Sequence, residues 1–287
     1  MTTPLSYTLG RRHFPFTRTY VMGIVNVTPD SFSDGGLYAD PERAIAHALR
    51  LVEQGADILD IGGESTRPRG AAYGEGSKPV SAEEELQRVL PVVSALTGVT
   101  DVPVSVDTTK AVVARETLAA GAAMINDISG FRADPEMPSV IANAGASAVV
   151  MHMRGTPQTM AQDTTYADLF GEIRAALKVS VETGRKAGIT QIIVDPGIGF
   201  GKDATGNLRL LNGLQEFAGL GCPILVGPSR KAFLGAVLGT PAEDRLEGTI
   251  AASIVAAARG ARFVRVHDVY AVKRAVRVAD AILTAEG

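Results

Sequence analysis

The fold class follows from three successive segments: VMGIVNV (21–27), PERAIAHALRLVEQGA (41–56) and DILDIGG (57–63). The first and third are short apolar runs with β-branched residues, which is typical of buried strands. The second has the longer pattern of a helix, with Pro41 in its first turn and Gly55 at its end. A strand, a helix and a second strand in this order predict two parallel strands joined by a right-handed crossover.

The same alternation of short and long patterns continues along the chain. Six further strand-like runs are VPVSVD (102–107), AAMIND (122–127), SAVVMHM (147–153), QIIVDPG (191–197), PILVG (223–227) and ARFVRVH (261–267). Eight parallel strands with intervening helices predict an α/β protein with a closed (β/α)8 TIM barrel, and an open doubly wound sheet is the alternative. Residues 5–16 are a candidate hairpin that would plug the N-terminal mouth of the barrel.

Length and charge narrow the classes of protein. The chain has 287 residues, 46% of them apolar, which is enough for one large core, and we expect a single domain over residues 1–287. The net charge is -3, with acidic and basic residues mixed along the chain. Because no basic face stands out, a nucleic acid is not an expected partner.

Cysteine content and hydropathy indicate the compartment. Cys222 is the only cysteine, so the chain cannot form an internal disulfide, and its apolar neighbours predict a small buried side chain. Residues 1–16 lack the apolar run of a signal peptide, and no uninterrupted apolar stretch reaches the ~18 residues of a spanning helix. We therefore expect a soluble cytoplasmic protein with no membrane partner.

Polar residues gather where the predicted strands end. They are Asn26, Asp60, Glu64, Asp107, Asn126, Asp195, Ser229, Arg230, Lys231, Arg265 and His267. Active sites of (β/α)8 barrels are built at that face. Helix capping or turn formation is the alternative for each Asp and Asn taken alone. Arginine, lysine and histidine cap helix starts poorly, so their presence at the same rim favours a functional site.

Two loops carry the most specific patterns. NVTPDSFSDGG (26–36) follows the first barrel strand, and such a Gly- and Ser-rich loop can close over a substrate, with an ordinary surface turn as the alternative. GGESTRP (62–68) follows the second barrel strand, and its Arg67 offers a planar fork for an anionic group. The first loop therefore predicts closure over a substrate, and the second predicts binding of an anionic substrate group.

The last strand adds a pair of cations. Arg265 and His267 lie two positions apart, so they project from the same face of the strand and suit a pyrophosphate. A surface salt bridge with Asp268 is the alternative. Met151 points inward from its strand by the same parity argument and either packs on a bound ring or is a core methionine, whereas His152 points the other way and is predicted to be structural.

These motifs resemble the dihydropteroate synthase family of pterin-binding barrels, and the segment 26–36 matches it almost letter for letter. The resemblance covers residues 20–280. It implies condensation of 6-hydroxymethyl-7,8-dihydropterin pyrophosphate with p-aminobenzoate to 7,8-dihydropteroate and pyrophosphate, a step of folate biosynthesis that begins with SN1-like loss of Mg-pyrophosphate. A Mg²⁺ cofactor, a homodimer and inhibition by sulfonamides are also implied.

The resemblance also implies a role for individual residues. For the pterin it implies Asp107, Asn126, Met151, Asp195 and Lys231. For the pyrophosphate it implies Asn26, Thr66, Arg67, Arg265 and His267, with Asn26 also binding the metal. For the p-aminobenzoate pocket it implies Phe32, Pro68, Phe200, Lys231 and Ala232. For catalysis it implies Asp34, Arg67, Asp195 and Lys231.

The chain departs from the family pattern in three places. Arg69 stands where a glycine is common, residues 71–78 lengthen the second loop, and Ala232 stands where a serine is common. With alanine there, we expect p-aminobenzoate to be held by the backbone amides of the helix that follows Lys231.

Two other functions share parts of this pattern. A pterin-binding methyltransferase that acts with a corrinoid protein has the same Asp and Asn residues at the pterin edge, but it needs neither the segment 26–36 nor Ser229-Arg230-Lys231. A non-catalytic pterin or phosphate binder would be expected to lack some of the rim charges, and the chain retains them. A synthase remains the main prediction.

Overall fold

The barrel and its hairpin are formed by ten strands. The computed structural model describes residues 5–28, 40–66 and 79–285. The hairpin strands are β1 (Ser6–Leu9) and β2 (Arg12–Pro15). The barrel strands are β3 (Tyr20–Asn26), β4 (Ile58–Gly62), β5 (Val104–Asp107), β6 (Met124–Asp127), β7 (Ser147–Met151), β8 (Ile192–Asp195), β9 (Ile224–Val226) and β10 (Ala261–Val266). Strands β3 to β10 are parallel and close into a barrel, which confirms the TIM barrel and excludes the open sheet.

The helices cover the outside of the barrel. They are α1 (Pro41–Glu53), α2 (Ala82–Val99), α3 (Ala111–Ala119), α4 (Met137–Asn143), α5 (Leu169–Ala187), α6 (Ala204–Asn212), α7 (Ala232–Leu238), α8 (Leu246–Ala258) and α9 (Val269–Leu283), with a 3-10 helix at Leu214–Leu220. Asp40 caps α1 by accepting hydrogen bonds from the amides of Glu42 and Arg43, ahead of Pro41. No helix of the described residues is long and apolar enough to cross a membrane.

The hairpin closes the N-terminal mouth, as the sequence predicts. Tyr7 and Phe14 point into the barrel, where Phe14 lies 4.8 Å from Tyr20 and Tyr20 lies 5.6 Å from Phe263, measured between ring centroids. The Tyr7 hydroxyl donates to the carbonyl of Ile192 at 2.9 Å, which ties the hairpin to β8. Aromatic burial of this kind anchors the plug.

The barrel interior changes from apolar to polar along the strands. Near the hairpin it is filled by apolar side chains, among them Met22, Ile58, Met124, Ile193 and Leu225. Toward the other end it holds Asp60, Ser105, Asn126, Asp195 and Arg265. Since side chains alternate across a strand, each polar residue follows an apolar one on the same face. The carboxyl ends of the strands therefore carry the candidate site.

Cys222 lies in the outer core between the 3-10 helix and β9. Its side chain is buried and its thiol is free, which confirms the prediction of a small buried residue. Burial raises the pKa of this thiol, so the reactive thiolate is disfavoured and Cys222 is not expected to act as a nucleophile.

Candidate active site

A cleft of about 1140 Å³ opens at the carboxyl ends of the barrel strands. Predicted site residues that line it are Asn26, Thr66, Asp107, Phe200, Lys231, Arg265 and His267. Asn126, Met151 and Asp195 are buried at the ends of the neighbouring strands β6, β7 and β8, and Ala232 begins α7. Phe32, Asp34, Arg67 and Pro68 lie outside the described residues, so their predicted roles stay predictions.

Arg265 is held by two carboxylates inside the barrel. Its Nε donates to Asp60 Oδ2 at 2.5 Å and its Nη2 donates to Asp107 Oδ2 at 2.8 Å. Asn126 Nδ2 donates to the same Asp60 oxygen at 3.1 Å. A carboxylate only accepts hydrogen bonds, so Asn126 turns its amide nitrogen toward Asp60 and its carbonyl oxygen away from it. Asp60 thus orients two predicted ligand residues.

Sequence reasoning placed Asp60 at the rim but gave it no role in the site. The residue is fully buried, and its part in the site depends on Asn126 and Arg265, which come from strands distant in sequence. The only signal in the sequence is an aspartate within the apolar run DILDIGG, since a buried carboxylate requires partners.

The carboxyl of Asp107 changes its protonation state near neutral pH. Burial raises the pKa of its carboxyl to about 7, with Arg265 opposing the rise and the carboxylate of Asp60 adding to it. The carboxyl can therefore either accept from or donate to a heterocycle near neutral pH. Such a residue suits an edge that presents both donors and acceptors.

Asp195 is held by the loop that follows it. The amide of Gly197 donates to Asp195 Oδ1 at 2.7 Å, and burial raises the pKa of the carboxyl to about 6 in spite of this hydrogen bond and of Lys231. Gly197 has φ of +74°, and a Cβ built there would lie 1.9 Å from the carbonyl oxygen of His152. Only glycine fits, because both the backbone conformation and the lack of space exclude a side chain.

Lys231 reaches into the cleft across an aromatic ring. Its Nζ lies 3.9 Å from the ring centroid of Phe200, a cation–π contact. Burial and the nearby charge of Arg265 together lower the pKa of Lys231 to about 8, against the opposing effect of Asp195. The ammonium form still predominates at neutral pH, so Lys231 can offer a positive charge or a proton.

The turn that carries Lys231 is fixed from behind by Arg245. Its Nη1 donates to the carbonyl of Arg230 at 3.0 Å and to that of Lys231 at 3.3 Å. Arg230 has φ of +57°, which is uncommon for a residue with a side chain. The hydrogen bonds from Arg245 hold this conformation, and sequence reasoning gave no sign of them.

His267 is an uncharged neighbour of the cations. Its Nδ1 lies 3.0 Å from Ser229 Oγ, and burial lowers its pKa to about 3, with Arg230 and Arg265 lowering it further. A neutral imidazole offers a hydrogen bond rather than a full charge. The predicted alternative for this segment, a salt bridge from Arg265 to Asp268, is wrong: Asp268 pairs with Arg230 at 2.6 Å.

The approach to the second loop is anchored by an ion-pair cluster. The ammonium of Lys110 contacts the carboxylates of both Glu64, which follows β4, and Glu85, which is fully buried on α2. Thr66 follows this anchored stretch and lines the cleft with a half-buried side chain. The cluster therefore fixes the point from which the loop departs.

Met151 and His152 follow the predicted parity. Met151 lies in a buried cluster with Ile128, Met153 and Met160, and Phe200 packs against this cluster. The ring of His152 instead hydrogen-bonds Lys202, which confirms a structural role for the histidine. Met151 is placed to form an apolar wall of the site.

A metal could be held at the open end of the cleft. Within the described ranges, no group of three or more His, Cys, Asp and Glu is arranged to bind a metal ion. Asn26 is exposed at the end of β3, and a Cβ built on Gly62 would lie 3.9 Å from Asn26 Oδ1 and 3.6 Å from Asp107 Cβ. Mg²⁺ commonly takes one or two protein oxygens together with waters and substrate phosphates. The amide oxygen of Asn26, with the carboxylate of Asp107 nearby, therefore fits Mg²⁺ that is bound together with a phosphorylated substrate.

Comparison with known proteins gives one family. The chain matches the family described as pterin binding enzyme over residues 22–267. It is 50% identical over 268 residues to the dihydropteroate synthase of Synechocystis sp., and the alignment covers 92% of this chain and 90% of that relative.

Two solved structures have the same fold. The dihydropteroate synthase of Yersinia pestis in complex with a sulfonamide drug is 41% identical and superposes with a TM-score of 0.90, covering 98% of this chain and 100% of the other. The dihydropteroate synthase of Xanthomonas albilineans with 4-aminobenzoic acid is 42% identical, with a TM-score of 0.89 and coverage of 99% and 100%. The fold and the sequence thus point to the same relatives.

Proposed function

The chain belongs to the pterin-binding enzyme family and, within it, to the dihydropteroate synthases, and we propose from its site how it condenses 6-hydroxymethyl-7,8-dihydropterin pyrophosphate with p-aminobenzoate in folate biosynthesis. One observation carries the proposal. The carboxyls of Asp107 and Asp195 interact with Arg265 and Lys231 at a single barrel mouth. Groups that suit a heterocycle edge therefore lie beside cations that suit phosphates.

The pterin ring is proposed to bind deepest in the barrel. Asp107, Asn126 and Asp195 offer acceptors, and in part donors, to the amide-like edge of the ring. Met151 supplies an apolar wall, and Lys231 lies on the side of Phe200. Buried polar groups of this kind discriminate strongly, since a ligand without the matching edge would leave them unpaired.

The reaction proposed for this site is a dissociative substitution. The bond between the exocyclic methylene of the pterin and the pyrophosphate oxygen breaks, and its electron pair leaves with the pyrophosphate. The positive charge left on the pterin is stabilised by the carboxylate of Asp195, helped by Asp34 from the first loop. The amine of p-aminobenzoate then forms the new C–N bond and loses a proton.

The leaving pyrophosphate is proposed to bind toward the outer end of the cleft. Asn26, Thr66, Arg67, Arg265 and His267 are the residues assigned to it. When bound, Mg²⁺ would neutralise charge on the pyrophosphate, with Asn26 as its protein ligand. His267 would donate a hydrogen bond as a neutral ring, because its pKa is about 3.

The p-aminobenzoate slot is proposed to lie between Phe200 and the start of α7. Lys231 and Ala232 line its described side, and Phe32 and Pro68 complete it from the two loops. The Xanthomonas relative was solved with 4-aminobenzoic acid and the Yersinia relative with a sulfonamide drug. We therefore expect a sulfonamide to compete with p-aminobenzoate for this slot.

The test is product formation from the two substrates. Pyrophosphate release and dihydropteroate formation are measured with Mg²⁺, with and without p-aminobenzoate, and again with EDTA. We expect equimolar products that require p-aminobenzoate, and loss of turnover in EDTA. Failure to form dihydropteroate would overturn the synthase, and methyl transfer to a corrinoid protein would replace it with the methyltransferase.

The proposal also includes one pterin-binding domain over residues 1–287, a cytoplasmic location and a homodimer. The single buried cysteine suits a reducing compartment. Helices α8 and α9 pack together and expose the apolar side chains of Val255, Tyr270, Val278 and Ile282. Exposed apolar side chains on a pair of packed helices suit a second copy of the chain, and sedimentation velocity would show a monomer if the homodimer is wrong.

A further inference from the structure

The ammonium of Lys202 is buried and fully hydrogen-bonded. Its Nζ lies 2.9 Å from His152 Nδ1, 3.0 Å from the carbonyl oxygen of His152 and 2.9 Å from the carbonyl oxygen of Gly197. An ammonium has three N–H groups, so each one finds an acceptor. Burial and then the charge of Lys202 lower the pKa of His152 to about 2, which leaves the ring neutral and free to accept at Nδ1.

These three hydrogen bonds join two strand ends. His152 directly follows β7, and Gly197 lies two residues after Asp195 at the end of β8. The amide of His152 also donates to the carbonyl of Asp195 at 2.9 Å. Lys202 therefore fastens the loop 196–201 to the end of β7.

The fastened loop carries the groups that the site uses. The Gly197 amide holds the carboxylate of Asp195, and Phe200 supports the ammonium of Lys231. The stem of Lys231 lies directly on Gly199, since a Cβ built there would be 2.7 Å from Lys231 Cδ. A shift of this loop would move the carboxylate, the aromatic ring and the lysine together.

The burial of a charge here needs a reason. All three acceptors of Lys202 are neutral, and burial lowers its pKa well below the ordinary value, so the ammonium is costly to keep in place. Apolar packing by a side chain of similar length would avoid that cost. An apolar side chain could not hold the backbone in one geometry. The ammonium does so, because its hydrogen bonds fix the carbonyls of His152 and Gly197 relative to one atom.

We propose that Lys202 is a positioning residue for pterin binding, which holds Asp195 and Phe200 in place by tying Gly197 to His152. The inference rests on the proposed function for the identity of the ligand. It assigns Lys202 no contact with substrate and no proton transfer.

The first variant is Lys202→Met, with Lys186→Met on the exposed end of α5 as the matched control. Binding of 6-hydroxymethyl-7,8-dihydropterin is measured by calorimetry, and kcat and KM are measured for both substrates. In Lys202→Met we expect pterin affinity to fall about tenfold and KM for the pterin pyrophosphate to rise, and KM for p-aminobenzoate should rise as well, because Phe200 and Lys231 also belong to its slot. The control should match the unaltered protein.

A double-mutant cycle separates positioning from general destabilisation. If Lys202 acts through Asp195, then adding Lys202→Met to Asp195→Asn should weaken pterin binding much less than it does alone. Additive losses in pterin affinity, or unchanged affinity in Lys202→Met, would overturn the proposal.

A second variant covers the case in which Lys202→Met does not fold. His152→Leu removes one of the three acceptors and keeps the lysine, and it should weaken pterin binding about threefold. Unchanged pterin affinity in folded His152→Leu would also overturn the inference. Because pterin binding is measured without turnover, a chain that binds the pterin but makes no dihydropteroate would refute the proposed function alone.

Discussion

Phe263 and Arg265 lie two positions apart on β10 and both point into the barrel, yet they serve opposite ends of it. Phe263 packs against Tyr20 and the hairpin residues Phe14 and Phe16 at the N-terminal mouth. Arg265 is surrounded by carboxylates at the C-terminal mouth. A single strand thus contributes both to an apolar plug and to a charged cleft.

The two mouths differ in whether their buried polar atoms have hydrogen-bond partners. At the plug, the buried hydroxyl of Tyr7 finds an acceptor and the rings contact one another. Nearer the cleft, Asp60 Oδ1 and Ser105 Oγ are buried without a hydrogen-bond partner among the described residues. Unpaired polar atoms and carboxyls with raised pKa values cost stability. The plug therefore stabilises the barrel. The cleft lowers the stability of the fold, because its polar groups are arranged to bind a ligand.

The largest effect is expected at the plug. Phe263→Ala would remove a fully buried ring and leave a cavity, which should lower the free energy of unfolding by about 3–5 kcal/mol. Urea denaturation measures the loss, and kcat/KM per folded molecule should stay within about threefold, since the ring has no contact with the cleft. A loss below about 1 kcal/mol would show that the two mouths do not differ in this way.

The next effect belongs to the cleft and affects activity. Asp195→Asn keeps an acceptor for the Gly197 amide and removes the negative charge proposed to stabilise the pterin cation. We expect kcat/KM to fall by about 100- to 1000-fold, equivalent to about 2.7–4 kcal/mol of barrier. Steady-state kinetics measures this, and activity within tenfold of the unaltered enzyme would remove Asp195 from the catalytic residues.

The same substitution should raise stability, with a defined pH dependence. Burial raises the folded-state pKa of Asp195 from 3.8 to about 6, so ionisation opposes folding. The penalty is absent below pH 3.8, grows as pH rises, and is complete above about pH 6. At pH 8 we expect Asp195→Asn to be more stable by roughly 3 kcal/mol, a difference that vanishes as the pH falls below about 4. Urea titrations of both proteins across this range test it, and a constant difference would contradict the raised pKa.

The barrel could be predicted from the sequence because a buried strand gives a short apolar run of neighbouring residues. Seven of the eight apolar runs contain a whole barrel strand, the run 21–27 misses only Tyr20 of β3, and the candidate hairpin at residues 5–16 contains β1 and β2. The predicted helix that begins at Pro41 is likewise confirmed, because its cap and its first turn are neighbours in sequence. Patterns of this range do not depend on distant residues.

The site was predicted less completely, for a physical reason. Asp60, Arg245 and Lys202 act through hydrogen bonds to residues from other strands or loops, and no local pattern encodes such partners. The same is true of the pairing of Arg230 with Asp268, since sequence reasoning considered Asp268 only as an alternative partner for Arg265. Predicted ligand residues could be named because strand ends meet at one rim, whereas the groups that hold them could not.

The smallest effect is expected at Ala232, where the chain departs from the family pattern. Ala232 is the first residue of α7, half-buried, and the preceding Lys231 makes no side-chain cap. If the backbone amides of α7 hold the carboxylate of p-aminobenzoate, Ala232→Ser adds a hydroxyl next to donors that already suffice. We expect KM for p-aminobenzoate and the inhibition constant of a sulfonamide to change by less than about threefold, a few tenths of a kcal/mol. Lys231→Met is the contrasting variant, because it removes the buried charge beside the ring of Phe200, and it should weaken both ligands far more. A tenfold gain in affinity for Ala232→Ser would show that the hydroxyl is a missing ligand and that the amides do not bind the carboxylate alone.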